Sequence, residues 1–494
     1  MLLKMRITGL FEKIQYDRIF IIDTESEKEY TYSEFFSCAV KLADYINNKI
    51  KGNSFIAIKE NSFDLALLYF STMFTNKRIM VMDPQKGNKE IDAILRGIEP
   101  TGIFLDDQDI LTLNNHFVLK FPDIKGSNDH AQIKREVIDR IGVRDFDVPF
   151  LVTYTSGTSG LTKGVEHSLR SLFLTAISMD EAVGARNGCF YHVMPMTYMA
   201  GILNSLVYPF INGSRIIIGN RFSIVTASSF WDTVIKYKAD QFWLSPTMLM
   251  MIDRLDRSNR GESYCRKVTP TFLIGTAPLS QQTRIRFESR YGVKVYASYG
   301  LTETLFISVE TPDSVAKSDE GSVGELLNGV KYRISDDGEL HINVPWMLLR
   351  YTNEDTKEYF DKEFYKTGDI AEMRDGCLYI TGRIKDLIIK GGMNLSPALI
   401  EKVTNEIPDI IESVAVGVRD KNGEEKVCCA YVSQISTDLI PDLENRIKNR
   451  VKEELGKNYS IDYLWNIKDL PRNINGKIDR NAIVRSWESN YNDR

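Results

Sequence analysis

The sequence predicts an α/β fold: a large N-terminal domain of layered sheets with a barrel-like β section, then a small α+β C-terminal domain. Three observations carry this reading. Strand-like and helix-like segments alternate through about residue 380. Short strands and tight turns take over from Gly321, and the pattern changes again after Arg383. The chain has 494 residues, more than one ordinary hydrophobic core organises.

The elements follow in order. SFIAIKE and RIMVMDP read as strands bracketing the helix-like DLALLYFSTMF. SRIIIGN is a strand before the helix-like ASSFWDTVIKYK, and DQFWLSP and TFLIGTAP are further buried strands. Such alternation argues for helices layered on sheets. GSVGELL, KYRISDDGELHINV and DGCLYITGR read as antiparallel strands, with DDG and RDG marking hairpin turns. Beyond Arg383, SPALIEKVTNEI opens with Ser396 as an N-cap and Pro397 at the first helical position. ESVAVGVRDKNGEEKVCCAYV reads as two strands around an NG turn, and LENRIKNRVKEEL as an amphipathic helix. The expected domains are 1–383 and 384–494.

Composition narrows the function classes. Apolar residues at 43% and charged residues at 26% suit a globular chain. A net charge of −5, spread along the sequence, does not suggest a nucleic-acid or anionic-membrane surface. The cysteines at 38, 189, 265, 377, 428 and 429 form no CxxC, and with five scattered histidines they offer no metal-ligand spacing. A reduced, cytoplasmic setting is expected. The first fifteen residues carry Lys4, Arg6, Glu12 and Lys13, unlike a secretory signal. The apolar run Leu65 to Phe74 is about half of a membrane span and reads as a buried helix.

The segment that asks for chemistry is YTSGTSGLTKG, Tyr154 to Gly164, directly after the apolar VPFLV. Glycine-freed N–H groups, hydroxyls and one ammonium suit a phosphate, but the same composition suits a flexible polar turn. A Walker-type loop requires Lys and then Ser or Thr at fixed spacing after glycine, and the run Thr162-Lys163-Gly164 breaks that pattern. The stretch resembles instead the phosphate-binding signature of the adenylate-forming, AMP-binding enzymes, which include acyl- and aryl-CoA synthetases. It departs from that signature with Ser159 for Thr and Thr162 for Pro. Five more segments resemble the family's motifs, in order: GTAPL at Gly275, YGLTE at Tyr299, YKTGD at Tyr365, GRIKDLIIKGG at Gly382 and PRNINGKIDR at Pro471. Together they span Thr155 to Arg480 and decide for the phosphate loop.

The resemblance implies residue roles. Thr155, Ser156, Gly157, Thr158, Ser159, Gly160 and Lys163 would bind the phosphates of ATP. Gly275, Thr276 and Ala277 would approach adenine, with Ser298, Tyr299 and Gly300 beside it and Tyr299 stacking on the base. Thr302 would reach the α-phosphate, and Glu303 would hold Mg²⁺ as a hard oxygen ligand. Asp369 would accept both ribose hydroxyls, with Arg383 also at the nucleotide. Lys477 would bridge carboxylate and phosphate. Lys385 stands at the hinge of a mobile small domain, and Gly391 and Gly392 stand on the thiol side. Chemistry supports such a set: a carboxylate oxygen leaves poorly, whereas AMP leaves readily from a mixed anhydride. Placed cations and N–H donors stabilise the charge-dense transition state that forms it.

The family's amino-acid-activating members carry an aspartate where Ala200 stands here, and Pro195 to Ser214 contains no acidic residue. An ammonium buried there would be unpaired, so amino acids are disfavoured. Tyr198, Gly201 and Gly275 are the expected acid pocket, and Met196, Met199 and Leu203 suit an apolar acid or helix core equally. The implied activity is ATP-dependent activation of a carboxylic acid to an acyl-adenylate with pyrophosphate release, then transfer to a thiol. Coenzyme A is the expected acceptor, since the chain ends at Arg494 without an attached carrier domain. The alternatives are a stand-alone enzyme loading a carrier protein and a non-catalytic nucleotide-binding descendant. Glu303 and Lys477 argue against the second.

Overall fold

The computed structural model describes residues 2–85, 91, 94–95, 100–105, 118–155, 163–184, 187–318, 321–421, 423–472 and 478–491. Ser54–Ile58 is buried along its whole length, as a parallel strand covered on both faces must be. It pairs in parallel with Arg78–Met82 and Ile103–Leu105. The sheet runs in the order Arg350–Tyr351, Lys163–Ser168, Pro149–Thr155, Arg78–Met82, Ser54–Ile58, Ile103–Leu105, Val118–Leu119. The first two strands are antiparallel additions to a parallel core.

A second sheet, of fourteen strands among the described residues, has a parallel middle. Val295–Leu301, Thr271–Ile274, Gln241–Leu244, Cys189–His192, Arg215–Ile218 and Ile19–Asp23 lie side by side. Helices Tyr32–Lys49, Phe63–Thr72 and Leu169–Val183 contribute to one core between the layers, where Phe70 packs edge to face against Phe20, Phe36 and Phe210. The first of these helices starts on a reciprocal cap. Glu34 N–H donates to the Thr31 hydroxyl at 3.2 Å, and the Glu34 carboxylate accepts from Thr31 N–H at 2.8 Å. The apolar run at Leu65 lies in the buried helix Phe63–Thr72, and no helix among the described residues is long and apolar enough to cross a membrane.

The antiparallel section after Gly321 extends this second sheet, and no barrel closes among the described residues. Leu305–Val309 folds back on Val295–Leu301 and offers its free edge to Ser322–Leu326. Pairing then propagates outward through Cys377–Arg383, Phe364–Arg374 and Glu339–Asn343 to Lys331–Ile334.

Beyond Arg383 two apolar clusters form from residues 388–461 and 414–487 alone. They pack around Ile410–Arg419, Glu425–Ser433 and Tyr463–Asn466, with helices Pro397–Asn405, Ile440–Leu455 and Arg480–Tyr491. Pro397 begins its helix as expected, but the Ser396 hydroxyl does not cap it. That hydroxyl donates instead to the Thr381 carbonyl at 2.7 Å, joining the two parts of the chain. All six cysteines are buried and free.

Candidate active site

Gly275, Tyr299 and Gly300 lie at the carboxyl ends of neighbouring parallel strands, where ligands bind in open α/β sheets. Tyr299 and Gly300 end the strand Val295–Leu301 at a shift in its pairing with Leu305–Val309. A side chain at 300 would put its Cβ 2.1 Å from the Leu305 carbonyl oxygen, so only glycine fits. Tyr299 donates its hydroxyl to Asp369 Oδ2 at 2.6 Å. Arg383, directly opposite Asp369 across the strand pair, binds the same carboxylate. Asp369 is 1% exposed, and its two oxygens carry about four acceptor sites, so the three bonds from Tyr299 and Arg383 leave about one site for a further hydroxyl donor. Burial, then the Asp369 charge, holds the Tyr299 phenol far above its ordinary pKa.

Tyr365 stands four residues before Asp369 on the same strand, across a bulge where Gly368 takes φ +70. Tyr365 begins a relay. Its hydroxyl lies 2.8 Å from that of Tyr351, which donates to Glu303 Oε1 at 2.9 Å. The other carboxylate oxygen of Glu303 suits a Mg²⁺ ion, which binds through one or two carboxylates together with substrate phosphates. Lys163 sits beside this relay. It pairs with Glu354 at 2.8 Å, donates to the Tyr359 hydroxyl, and lies 4.4 Å from the Tyr359 ring centre. Thr302 is positioned from beneath, where His167 Nε2 meets its carbonyl oxygen at 2.6 Å. Burial pulls the His167 pKa down to about 4, so the imidazole is neutral and donates that bond.

Glu354, Tyr351, Tyr359 and His167 escaped the sequence reading, because strand pairing between Arg350–Tyr351 and Lys163–Ser168 brings them in from 185 or so residues away. The loop Ser156 to Gly160 and Lys477 lie outside the described residues. Thr155 ends its strand opposite Lys163, where the loop begins.

Gly275 follows the strand Thr271–Ile274, and a Cβ there would meet Ser298 Oγ at 2.8 Å and Trp243 Nε1 at 3.2 Å. The Trp243 indole is 1% exposed, stacked on Phe306 at 4.9 Å, and its N–H has no partner among the described residues. Thr276 has φ +72, an uncommon and strained value for a β-branched residue. Ala277 is half-buried beside it. Tyr198 is half-buried at the entry to a π-helical stretch, Ala200–Val207. Within that stretch Gly201 accepts from His192 Nε2 at 2.8 Å. Met196 and Leu203 are 0% and 1% exposed and belong to the central core, whereas Met199 at 5% is only slightly more open.

Lys385 is exposed in the short turn Ile384–Asp386. Gly391 and Gly392 form the exposed tip of the ribbon Ile388–Lys390 and Met393–Leu395. On either side of 473–477, Arg472 and Ile478 pair as an antiparallel bridge, and Arg472 donates to Thr247 Oγ1 at 3.2 Å. Thr247 lies just past the strand Gln241–Leu244, whose last carbonyl accepts from Gly275 N–H at 3.1 Å. Arg472 therefore contacts the large domain just past the strand Gln241–Leu244, while the glycine pair is exposed.

Residues 12–352 match the model of a family described as AMP-binding enzyme, and residues 399–477 match that of the AMP-binding enzyme C-terminal domain. The chain is 28% identical over 357 residues to a sulfoacetate–CoA ligase of Cupriavidus necator, covering 68% of this chain and 67% of that one. It is 24% identical over 474 residues to a 2-succinylbenzoate–CoA ligase of Bacillus subtilis, covering 92% of each. Among solved structures, ATP-bound MatB from Rhodopseudomonas palustris superposes with a TM-score of 0.82 at 22% identity, over 98% of this chain and 99% of that one. That likeness establishes a common fold.

Proposed function

Because the chain belongs to the AMP-binding enzyme family, we propose that it joins a carboxylic acid to coenzyme A in two steps at one nucleotide site. A carboxylate oxygen attacks the α-phosphorus of ATP, forming an acyl-adenylate as the bond to pyrophosphate breaks. The thiolate sulfur then attacks the acyl carbon, forming a thioester as AMP leaves. The observation that carries this reading is the alignment along one strand of a ribose-type acceptor, Asp369, with the relay from Tyr365 to Glu303. The two start four residues apart on that strand, at Asp369 and Tyr365, and Lys163 stands beside the relay.

Tyr299 would cover the base while its hydroxyl orients Asp369 for the ribose. Glu303, oriented by Tyr351, would hold Mg²⁺, which neutralises polyphosphate charge when bound. Lys163 would exchange Glu354 for a phosphate oxygen, a charge-assisted contact of the same kind. Lys477 would supply the cation between carboxylate and α-phosphate. Coenzyme A as acceptor is supported by relatives that are CoA ligases. Ala200, buried and uncharged at the position where amino-acid-activating relatives of this family would carry aspartate, supports an acid without an α-ammonium.

The test is pyrophosphate release over a panel of carboxylic acids with ATP and Mg²⁺, followed by mass analysis with free coenzyme A. An acyl-CoA product is expected. Pyrophosphate release with an adenylate that only a carrier-protein thiol discharges would replace the acceptor. No acid-dependent release from any panel member would remove the ligase reading.

A further inference from the structure

Successive side chains of the strand Lys163–Ser168 alternate between its two faces. Lys163, Val165 and His167 share the face that meets Tyr351 and Thr302. Glu166 belongs to the opposite face and is 0% exposed, a burial that a carboxylate tolerates only when paired. Two arginines pair with it from opposite sides. Arg78 reaches Glu166 Oε1 across the intervening strand Pro149–Thr155. Arg350, directly opposite Glu166 in the strand pair, donates from Nε to Oε2 at 2.7 Å. The carboxylate and its two partners thus span four neighbouring strands.

Arg350–Tyr351 is the outermost strand of that sheet and two residues long. An edge strand so short has one neighbour and few ladder bonds, so contacts on its two faces set its tilt. On one face Tyr351, opposite Val165, donates to Glu303 Oε1 at 2.9 Å. On the other face Arg350 is held by Glu166. The backbone repeats the link: Leu348 N–H donates to the Glu303 carbonyl at 2.9 Å, and Leu349 N–H to the Glu166 carbonyl at 2.8 Å. The Arg350 side chain is 60% exposed, and Arg78 would still pair with Glu166 in its absence. Losing Arg350 therefore leaves no unpaired buried charge and little cost to folding.

We infer that Arg350, anchored by Glu166, is a positioning residue for the end of the site that holds Mg²⁺. It fixes the tilt of the edge strand, and with it the point at which Tyr351 sets the Glu303 carboxylate. The inference rests on the role proposed for Glu303 and extends the site to the opposite face of the sheet.

Calorimetric dissociation constants of the full chain for ATP with Mg²⁺, and for AMP without it, test it. Arg350→Met keeps the stem and deletes the donor. It should weaken Mg²⁺–ATP binding about three- to tenfold, at or below the loss of a group that touches a metal ligand directly. AMP binding and the thermal midpoint should not change. In a Tyr351→Phe background Arg350→Met should have no further effect, since both act through one hydrogen bond. Arg350→Lys, which can still reach the carboxylate, should restore ATP affinity. If Arg350→Met does not fold, Glu166→Gln gives the same comparison of ATP with AMP. Unchanged ATP binding, equal weakening of ATP and AMP, or additive losses in the double variant would overturn the inference. Failure of the Glu303 role shows separately, as a Tyr351→Phe variant that binds Mg²⁺–ATP like the wild type, and the inference would fall with it.

Discussion

Lys163 and Glu303 reach their places through partners that no short motif encodes. The Lys163 ammonium is held by Glu354 and Tyr359, and the Glu303 carboxylate by Tyr351. Removing the ammonium with Lys163→Ala, or the carboxylate with Glu303→Ala, should lower kcat/KM for ATP about 10²- to 10³-fold, as for other placed transition-state charges. Unchanged ATP-dependent turnover in the double variant would reduce the Tyr154–Gly164 segment to a loop. Tyr351→Phe keeps the ring and deletes the donor to Glu303. It should raise the Mg²⁺ concentration for half-maximal turnover about tenfold, the scale of losing a partner that orients a metal ligand. A Mg²⁺ titration identical to the wild type would contradict that role. Two buried histidines make a pH prediction. Burial lowers His167 and His192 from 6.5 to about 4, so the unfolded chain binds more protons between those values. Stability should therefore fall as pH drops from 6.5 to 4, by about 3 kcal/mol per histidine. Urea unfolding of His167→Gln should show a smaller loss over that window. At this scale the sequence exposed residues inside contiguous motifs, such as Asp369 after Gly368. It hid His167 and Glu354, whose role exists only once distant strands pair.

At the scale of elements, the strand Phe364–Arg374 carries both Asp369 and Tyr365, and the stretch Ala200–Val207 is the proposed acid end. The first was legible only through its YKTGD motif and the second only as a stretch without acidic residues, and the π-helical winding was not legible. One extra residue per turn leaves the apolar pattern nearly intact and changes which side chains face inward. The barrel-like reading failed for a related reason, since hairpin signals report local antiparallel pairing and not where the outer edge ends. The acid end makes a direct prediction. With no acidic residue from Pro195 to Ser214, apolar carboxylic acids should stimulate pyrophosphate release and α-amino acids should do so poorly. A clear preference for an α-amino acid over its deaminated analogue would contradict it.

The whole molecule joins two sets of groups that cannot occupy one place together. Arg472, five residues before Lys477 in the chain, donates to Thr247 of the large domain, while Gly391 and Gly392 are exposed. If the glycine pair serves the thiol step, the part after Arg383 must turn about Ile384–Asp386 between half-reactions. Lys385→Pro fixes one backbone angle there and should impair the alternation while sparing the half-reaction whose orientation proline tolerates. Lys477→Ala should lose adenylate formation and largely keep thioester formation from supplied acyl-adenylate. Equal slowing of both halves in each variant would rule out two orientations. The central claim, attack of a carboxylate on the α-phosphate, is tested most directly by oxygen transfer. An accepted acid labelled with ¹⁸O in its carboxylate is turned over with ATP and coenzyme A, and the nucleotide and pyrophosphate are weighed by mass spectrometry. One labelled oxygen in AMP and none in pyrophosphate is the predicted result. Unlabelled AMP, or label appearing in pyrophosphate or in orthophosphate alongside ADP, would contradict it.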